Sequence, residues 1–180
     1  VTAPLWTLEE WAALPEDTSC RFELEDGVML VGPKPWLRHQ LVLGRLLTAL
    51  ADQLPSPWEP IAAVEVVTRT GSAPCVRVPD IVVVSGDLID LNPDRLLAED
   101  VLIAIEIVEP GTRETDLGRK RREYAEAGIR HYWVVDPESP ASLVLPAATG
   151  EFVTDEPFPI TLDLTELTFR RARAERMMNR

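Results

Sequence analysis

The sequence predicts a mixed α/β domain of the α+β kind: a mixed central sheet flanked by helices, with an N-terminal hairpin added to it. Three observations carry this. Residues 101–137 read VLIAIEIVEP, then GTRETDLGRKRREYAEAG, then IRHYWVVDP. Two short apolar runs bounded by Pro and Gly flank a longer charged segment, which is the pattern of strand, helix, strand. Residues 76–85 (VRVPDIVVVS) form another apolar burst, and residues 36–54 have the spacing of an amphipathic helix.

Taken in order, Thr7 predicts an N-cap for a short helix LEEWAAL, with Glu10 at the capping-box position and Pro15 past its end. RFELEDGVMLVG places two short runs around Asp26-Gly27, a hairpin signal. Pro33 and Pro35 break the pattern before the helix 36–54, whose apolar face is expected to hold Leu37, Leu41, Leu47, Leu50 and Leu54, with Pro55 as its stop. Residues 59–70 and 76–85 predict a second hairpin around a turn at 71–74. Residues 86–100 are polar and predict a surface loop with one helical turn. Beyond 137, residues 142–145 and 151–154 predict a weak hairpin around Ala-Thr-Gly, residues 160–164 an edge strand, and residues 165–180 a basic, fraying helical tail.

At 180 residues the chain is sized for one domain, 1–180. No apolar run approaches the ~20 residues that span a bilayer. The start VTAPLWTLEEW lacks the basic and apolar regions of a signal peptide, so a cytoplasmic setting is expected. Cys20 and Cys75 have no CxxC spacing and are expected to be buried thiols. The net charge of −12 argues against a protein that coats nucleic acid through a basic face. The charge is uneven, however: residues 113–130 carry six basic against four acidic side chains, and residues 170–180 carry five arginines against one glutamate. A polyanion could bind locally, although long-range steering would be poor.

Two carboxylates stand alone in apolar strands. Alternation puts Leu102, Ala104, Glu106 and Val108 on one face of the strand 101–109, and the small Ala104 leaves room before Glu106. A buried carboxylate is costly unless a cation or donors compensate it. Asp80 has the same problem. Pro79 before it cannot donate to a ladder, so it marks a bulge or edge that could aim Asp80 at a neighbouring strand. If the two strands are adjacent, their acids meet at one sheet end, where hard oxygen ligands suit Mg²⁺ or Mn²⁺. Asp116, Lys120 and Tyr124 follow at spacings of four and form one helical stripe. The chain has two lysines against sixteen arginines, so Lys120 inside Arg119-Lys120-Arg121-Arg122 is informative. A compact ammonium orienting a water or phosphate oxygen is not replaced by a planar guanidinium. Plainer readings stand beside these: Asp80 as a turn cap, Glu106 paired with an arginine, Asp116–Lys120 as an ordinary helix pair, Tyr124 as a core-edge aromatic.

The order Arg-Phe-Glu-Leu-x-Asp-Gly at 21–27, His39 opening a helix, Val-Pro-Asp-Ile-Val-Val-Val at 78–84, Ile-Glu-Ile-Val-Glu-Pro-Gly-Thr at 105–112, then Asp116, Lys120, Tyr124 and Gly-Ile-x-x-Tyr-Trp-Val-Val-Asp-Pro at 128–137 resembles the Uma-type restriction endonuclease family, within the PD-(D/E)XK nuclease superfamily. The match runs from about Arg21 to Pro137, and more loosely to Leu167. The resemblance implies a restriction endonuclease-like core, over about 21–167, of helix, three strands, helix and strand. It implies Asp80 and Glu106 as ligands of Mg²⁺ or Mn²⁺, the Ile107 carbonyl as a third oxygen, and DNA as substrate. The superfamily's lysine usually lies two residues after the second acid, where this chain has Val108. The resemblance moves that role to Lys120 on the following helix. Glu23 and His39 match family positions as well, Glu23 as a further acidic ligand and His39 as a metal or phosphate contact or a structural hydrogen-bonder. Asp116 would hold Lys120 or touch the metal from outside, and the arginines of 113–130 would contact phosphates. A homodimer is expected because endonucleases that cut both strands commonly pair. The rival expectation, resting on Val108 and on the acidity of the chain, is a catalytically silent member serving as a binding or dimerisation module. A metal-free acid–base hydrolase would leave Lys120 without a role.

Overall fold

A computed structural model describes residues 5–15, 20–32, 34–138 and 140–168. Helix α1 (Leu8–Ala12) is closed by the predicted box: the Glu10 N–H donates to Thr7 Oγ1 at 3.2 Å and the Thr7 N–H to Glu10 Oε2 at 2.9 Å. Strands β1 (Arg21–Glu25) and β2 (Val28–Gly32) pair antiparallel across Asp26-Gly27. Both turn residues have positive φ, 52° and 77°, as a two-residue turn that matches strand twist requires. Glycine is also needed at 27 for space, since a Cβ there would meet Leu5 Cβ at 3.0 Å.

Helix α2 (Leu37–Ala51) forms where expected, but on a different face. His39, Val42, Leu46 and Leu50 are buried, whereas Leu37 is 89% exposed and Leu41 40% exposed. The buried stripe steps by three, four and four from a histidine. A polar residue at its head hid it behind the leucines of the adjacent face.

The second hairpin forms, but each arm is cut in two. Strand β3 (Trp58–Ala62) ends at Ala63, which has φ 53°, and the chain resumes as β4 (Val66–Arg69). Opposite, β5 (Cys75–Arg77) stops before Pro79-Asp80 and β6 (Ile81–Ser85) follows. The breaks lie side by side, with the Ala63 N–H donating to the Asp80 carbonyl at 3.2 Å. One half of the hairpin therefore enters a five-stranded sheet of order β2-β1-β5-β4-β7, where β7 is Leu96–Leu97. The other half enters a six-stranded sheet of order β11-β10-β9-β8-β6-β3. Proline removes a ladder donor where the second arm changes sheet. Residues 86–100 hold more structure than a loop: helix α3 (Gly86–Leu91), β7 and a 3₁₀ turn, Ala98–Asp100.

In the six-stranded sheet, β8 (Ile103–Ile107) runs antiparallel to β6 and parallel to β9 (His131–Asp136). The crossover between β8 and β9 is a π-helical stretch, Thr115–Lys120, leading into α4 (Arg121–Glu126). The weak hairpin of 142–145 with 151–154 does not form. Instead β10 (Ser142–Leu145) pairs with β9 and with β11 (Ala148–Thr149), while β12 (Glu151–Thr154) pairs with β13 (Ile160–Asp163) as a separate two-stranded sheet. The strand 160–163 is an edge strand as expected, with β12 as its one partner. Thr165–Thr168 is a turn, and the tail expected as helix lies, from 169 to 180, outside the described residues. Of the two cysteines, Cys75 is buried as expected, but Cys20 is exposed, one residue ahead of β1 on the wall of a groove.

The strands of the larger sheet bury both faces. Ile81, Val83, Ile103, Ile105, Ile107 and Val135 pack with Val42, Leu46 and Leu50 of α2. Val82, Val84 and Ala104 pack with Tyr124 and Ile129. Glu106 thus shares the face of Ala104, directed at the crossover helix.

Candidate functional site

The β6–β8 register pairs Ile81 with Ile105, and continuing it by one residue sets Asp80 opposite Glu106. The two acids, far apart in sequence, meet at the end of the same strand pair. Asp80 is anchored from three sides. Its Oδ2 accepts the Ile107 N–H at 2.6 Å and lies 3.1 Å from His39 Nε2, and its Oδ1 accepts Arg21 Nη1 at 2.8 Å. Glu106 Oε1 accepts Lys120 Nζ and the Tyr124 hydroxyl, both at 2.9 Å, and its Oε2 lies 3.5 Å from Arg21 Nη2. Glu23, from β1, reaches Lys120 Nζ at 3.2 Å and Arg21 Nη2 at 3.5 Å through Oε1. Asp116 Oδ1 lies 3.5 Å from Lys120 Nζ, too far to be held by it as a short hydrogen bond, and is otherwise unpartnered.

The helical stripe works as its spacing predicted, for a reason the spacing did not show. In an α-helix, residues four apart overshoot one turn by about 40°. The wider π turn undershoots instead. Asp116 to Lys120 lies in the π stretch and Lys120 to Tyr124 crosses into α4, so the two deviations oppose each other. All three side chains are buried on the line that faces Glu106.

Burial and charge set the protonation states. Desolvation resists ionisation of Asp80, yet the His39 hydrogen bond and the Arg21 charge outweigh it and hold its pKa below the ordinary value. Glu23 is lowered against burial by Lys120 and Arg21. Glu106 goes the other way: burial, with the Asp80 charge added, outweighs Lys120 and pushes its pKa up to about 7. Asp116 is raised by burial too. Lys120 is raised in spite of burial by Glu106 and Glu23, so it stays an ammonium. His39 is raised because its bond to Asp80 exceeds the cost of burial.

These directions fix the pH dependence of stability. The folded chain holds the Glu106 proton to higher pH than the unfolded chain, so that contribution is full below about 4.5 and lost as pH rises through about 7. It is on the order of 3 kcal/mol. His39 adds a term that is full below 6.5 and fades above it. Asp80 and Glu23 act oppositely: their stabilisation is present above their ordinary values of 3.8 and 4.5 and lost on acidification. In chelator, the melting temperature is expected to peak near ~pH 5 and to decline by pH 8. A melting temperature that rises from pH 5 to pH 8 would contradict the raised Glu106.

The structure thus brings Asp80, Glu106, Glu23, His39, Asp116, Lys120 and Tyr124 together, and Ile107 contacts the cluster through its N–H. Sequence reasoning assigned no role to two arginines that complete it. Arg21 bridges the acids, and the fully buried Arg77 binds Glu23 at 3.2 Å, Glu25 at 2.7 Å and Glu123 at 2.6 Å. An arginine inside the apolar run VRV was the available signal. Two arginines of the crossover are already paired, Arg113 with Asp136 and Arg119 with Glu25. A groove of about 1400 Å³ opens on the cluster from the other side, where Arg21, His39 and Asp80 share its wall with Lys34 and Arg95. Val108, where the superfamily's lysine usually stands, is buried.

Among the described residues no helix is long and apolar enough to cross a membrane. No curated protein matches the chain. A crystal structure titled as a putative nuclease belonging to DUF820 from Anabaena variabilis matches with a TM-score of 0.67 and 19% identity, covering 90% of this chain and 97% of that one. The likeness extends the shared fold over nearly the whole of both proteins. The family model described as Uma2, putative restriction endonuclease, matches residues 8–170, and the chain belongs to that family.

Proposed function

We propose that this protein is a divalent-metal-dependent endonuclease that hydrolyses phosphodiester bonds in DNA. One observation supports it above the others: Asp80 Oδ1 and Glu106 Oε2 address one guanidinium, while Lys120 Nζ sits 2.9 Å from the second acid. The donor set suits Mg²⁺ or Mn²⁺, since it offers hard carboxylate oxygens from Asp80, Glu106 and Glu23 around a position that already attracts a cation. The Ile107 carbonyl would supply a further oxygen. When bound, such an ion polarises the phosphoryl group and lowers the pKa of water. Lys120 orients the attacking water and stabilises developing charge, in place of the lysine that Val108 supplants. Tyr124 fixes the Glu106 carboxylate, Asp116 borders Lys120, and His39 sets the Asp80 rotamer. DNA would enter by the groove, where Arg21, Lys34 and Arg95 could meet phosphates. The reading includes a cytoplasmic homodimer, which would present one site to each strand.

A second reading has an observation of its own. Among the described residues no three His, Cys, Asp or Glu side chains are grouped to hold a metal ion, and arginine and lysine are paired with the acids. A silent member that only binds or dimerises would have this closed ion pairing. Cleavage of single- and double-stranded DNA across Mg²⁺, Mn²⁺ and chelator, with calorimetric titration of Mn²⁺, separates the two. The nuclease gives metal-dependent cleavage and specific Mn²⁺ binding, and the silent module gives neither.

A further inference from the structure

Among the described residues, Arg21 is the cation that contacts Asp80, Glu106 and Glu23 together. Its Nη1 is 2.8 Å from Asp80 Oδ1, and its Nη2 is 3.5 Å from both Glu106 Oε2 and Glu23 Oε1. One guanidinium therefore touches each of the three carboxylates from which a divalent ion would be held. Its Nε is buried without a hydrogen-bond partner, so the side chain is kept there by charge more than by a complete donor pattern. It is also the one of these contacts with somewhere to go. Lys120 is 6% exposed at its side chain, whereas Arg21 is 25% exposed and lines the groove.

We infer that Arg21 is a resident competitor for the metal: guanidinium and divalent ion exclude each other between Asp80 and Glu106, and metal uptake requires Arg21 to turn out into the groove. A divalent ion held by Asp80 and Glu106 would need the oxygens that the guanidinium contacts, Asp80 Oδ1 and Glu106 Oε2, and the like charges of ion and guanidinium would repel at close range. With Arg21 in place its positive charge offsets those of the acids. Arg21 thus sets the metal concentration at which the site fills, and its release delivers a guanidinium to the side from which a phosphate would approach. The inference rests on the metal-site reading above and deepens it.

The test is calorimetric titration of Mn²⁺ into wild type, Arg21→Ala and Arg21→Gln, with melting temperatures measured with and without Mn²⁺. Both variants are expected to bind Mn²⁺ at least tenfold more tightly than wild type. Both are also expected to melt lower without metal and to gain more on adding it, because their carboxylates lack a counter-charge until the ion arrives. Arg21→Gln retains most of the side-chain volume and serves if Arg21→Ala does not fold. Adding Asp80→Asn to either variant should abolish the gain. Equal or weaker binding by the Arg21 variants, with wild type binding normally, overturns the inference and leaves the metal site standing. No Mn²⁺ binding by any of the proteins overturns the metal-site reading itself.

Discussion

Glu106→Gln is expected to lower Mn²⁺-dependent DNA cleavage by about a hundredfold or more, and specific Mn²⁺ binding with it, while the protein stays folded. The substitution is nearly isosteric. Glutamine can still accept from Lys120 and Tyr124 through its amide oxygen, the two bonds at 2.9 Å that seat the side chain. What it loses is the negative charge, and a neutral amide is a poor ligand for a hard divalent ion. The structural cost is small because the charge is already expensive: Glu106 is 2% exposed and its pKa is pushed up to about 7 by burial and by Asp80. The variant should therefore also lose most of the fall in stability expected of the wild type between pH 5 and pH 7 in chelator, since the larger part of that fall is the ionisation of this group, with His39 adding the rest. Cleavage that survives Glu106→Gln unchanged would remove Glu106 from the metal site and leave Lys120 facing an acid of purely structural meaning.

That acid was legible before any coordinates because burial makes it an anomaly. A lone carboxylate in VLIAIEIV has to be compensated, and the stripe Asp116, Lys120, Tyr124 is readable nearby, but the sequence points to a metal or an arginine as the partner of Glu106 and the structure pairs it with Lys120. The compensators on other elements were not readable. Arg21 stands at the head of a hairpin strand, and only the pairing of β1 with β5, the arm that runs on into Asp80, brings it to Asp80 and Glu106. The same limit explains the divided hairpin. Pro79 announced a break in one arm, but Ala63, where the other arm breaks with φ 53° and an N–H bonded to the Asp80 carbonyl, is an ordinary residue that carries no such signal. In α2 the misreading had a different cause. Leucine spacing marks one face as apolar, yet the helix buries a histidine because that histidine has a carboxylate to meet. A buried polar pair thus interrupts the apolar pattern at the head of the helix.

Arg77→Met is expected to destabilise the fold by roughly 3–5 kcal/mol. Arg77 is wholly buried and serves three acids at once: Nε and Nη2 contact Glu123 at 3.1 and 2.6 Å, Nη2 also contacts Glu25 at 2.7 Å, and Nη1 contacts Glu23 at 3.2 Å. Methionine replaces much of the volume, so the loss is not chiefly a cavity. It is the cost of three largely buried carboxylates left without their shared cation. Arg77→Lys keeps the charge but not the fork, and a single ammonium cannot address Glu23, Glu25 and Glu123 from one position, so an intermediate loss is expected. Urea unfolding with an unchanged slope measures both variants. The consequence reaches the candidate site through Glu23, whose Oε2 is held by Arg77 while its Oε1 faces Lys120 and Arg21. Freed from Arg77, Glu23 can rotate away from Lys120, and Mn²⁺ affinity should fall even where Arg77→Lys remains folded. A loss under about 1 kcal/mol would mean that the three acids find other partners and that Glu23 is positioned by β1 alone.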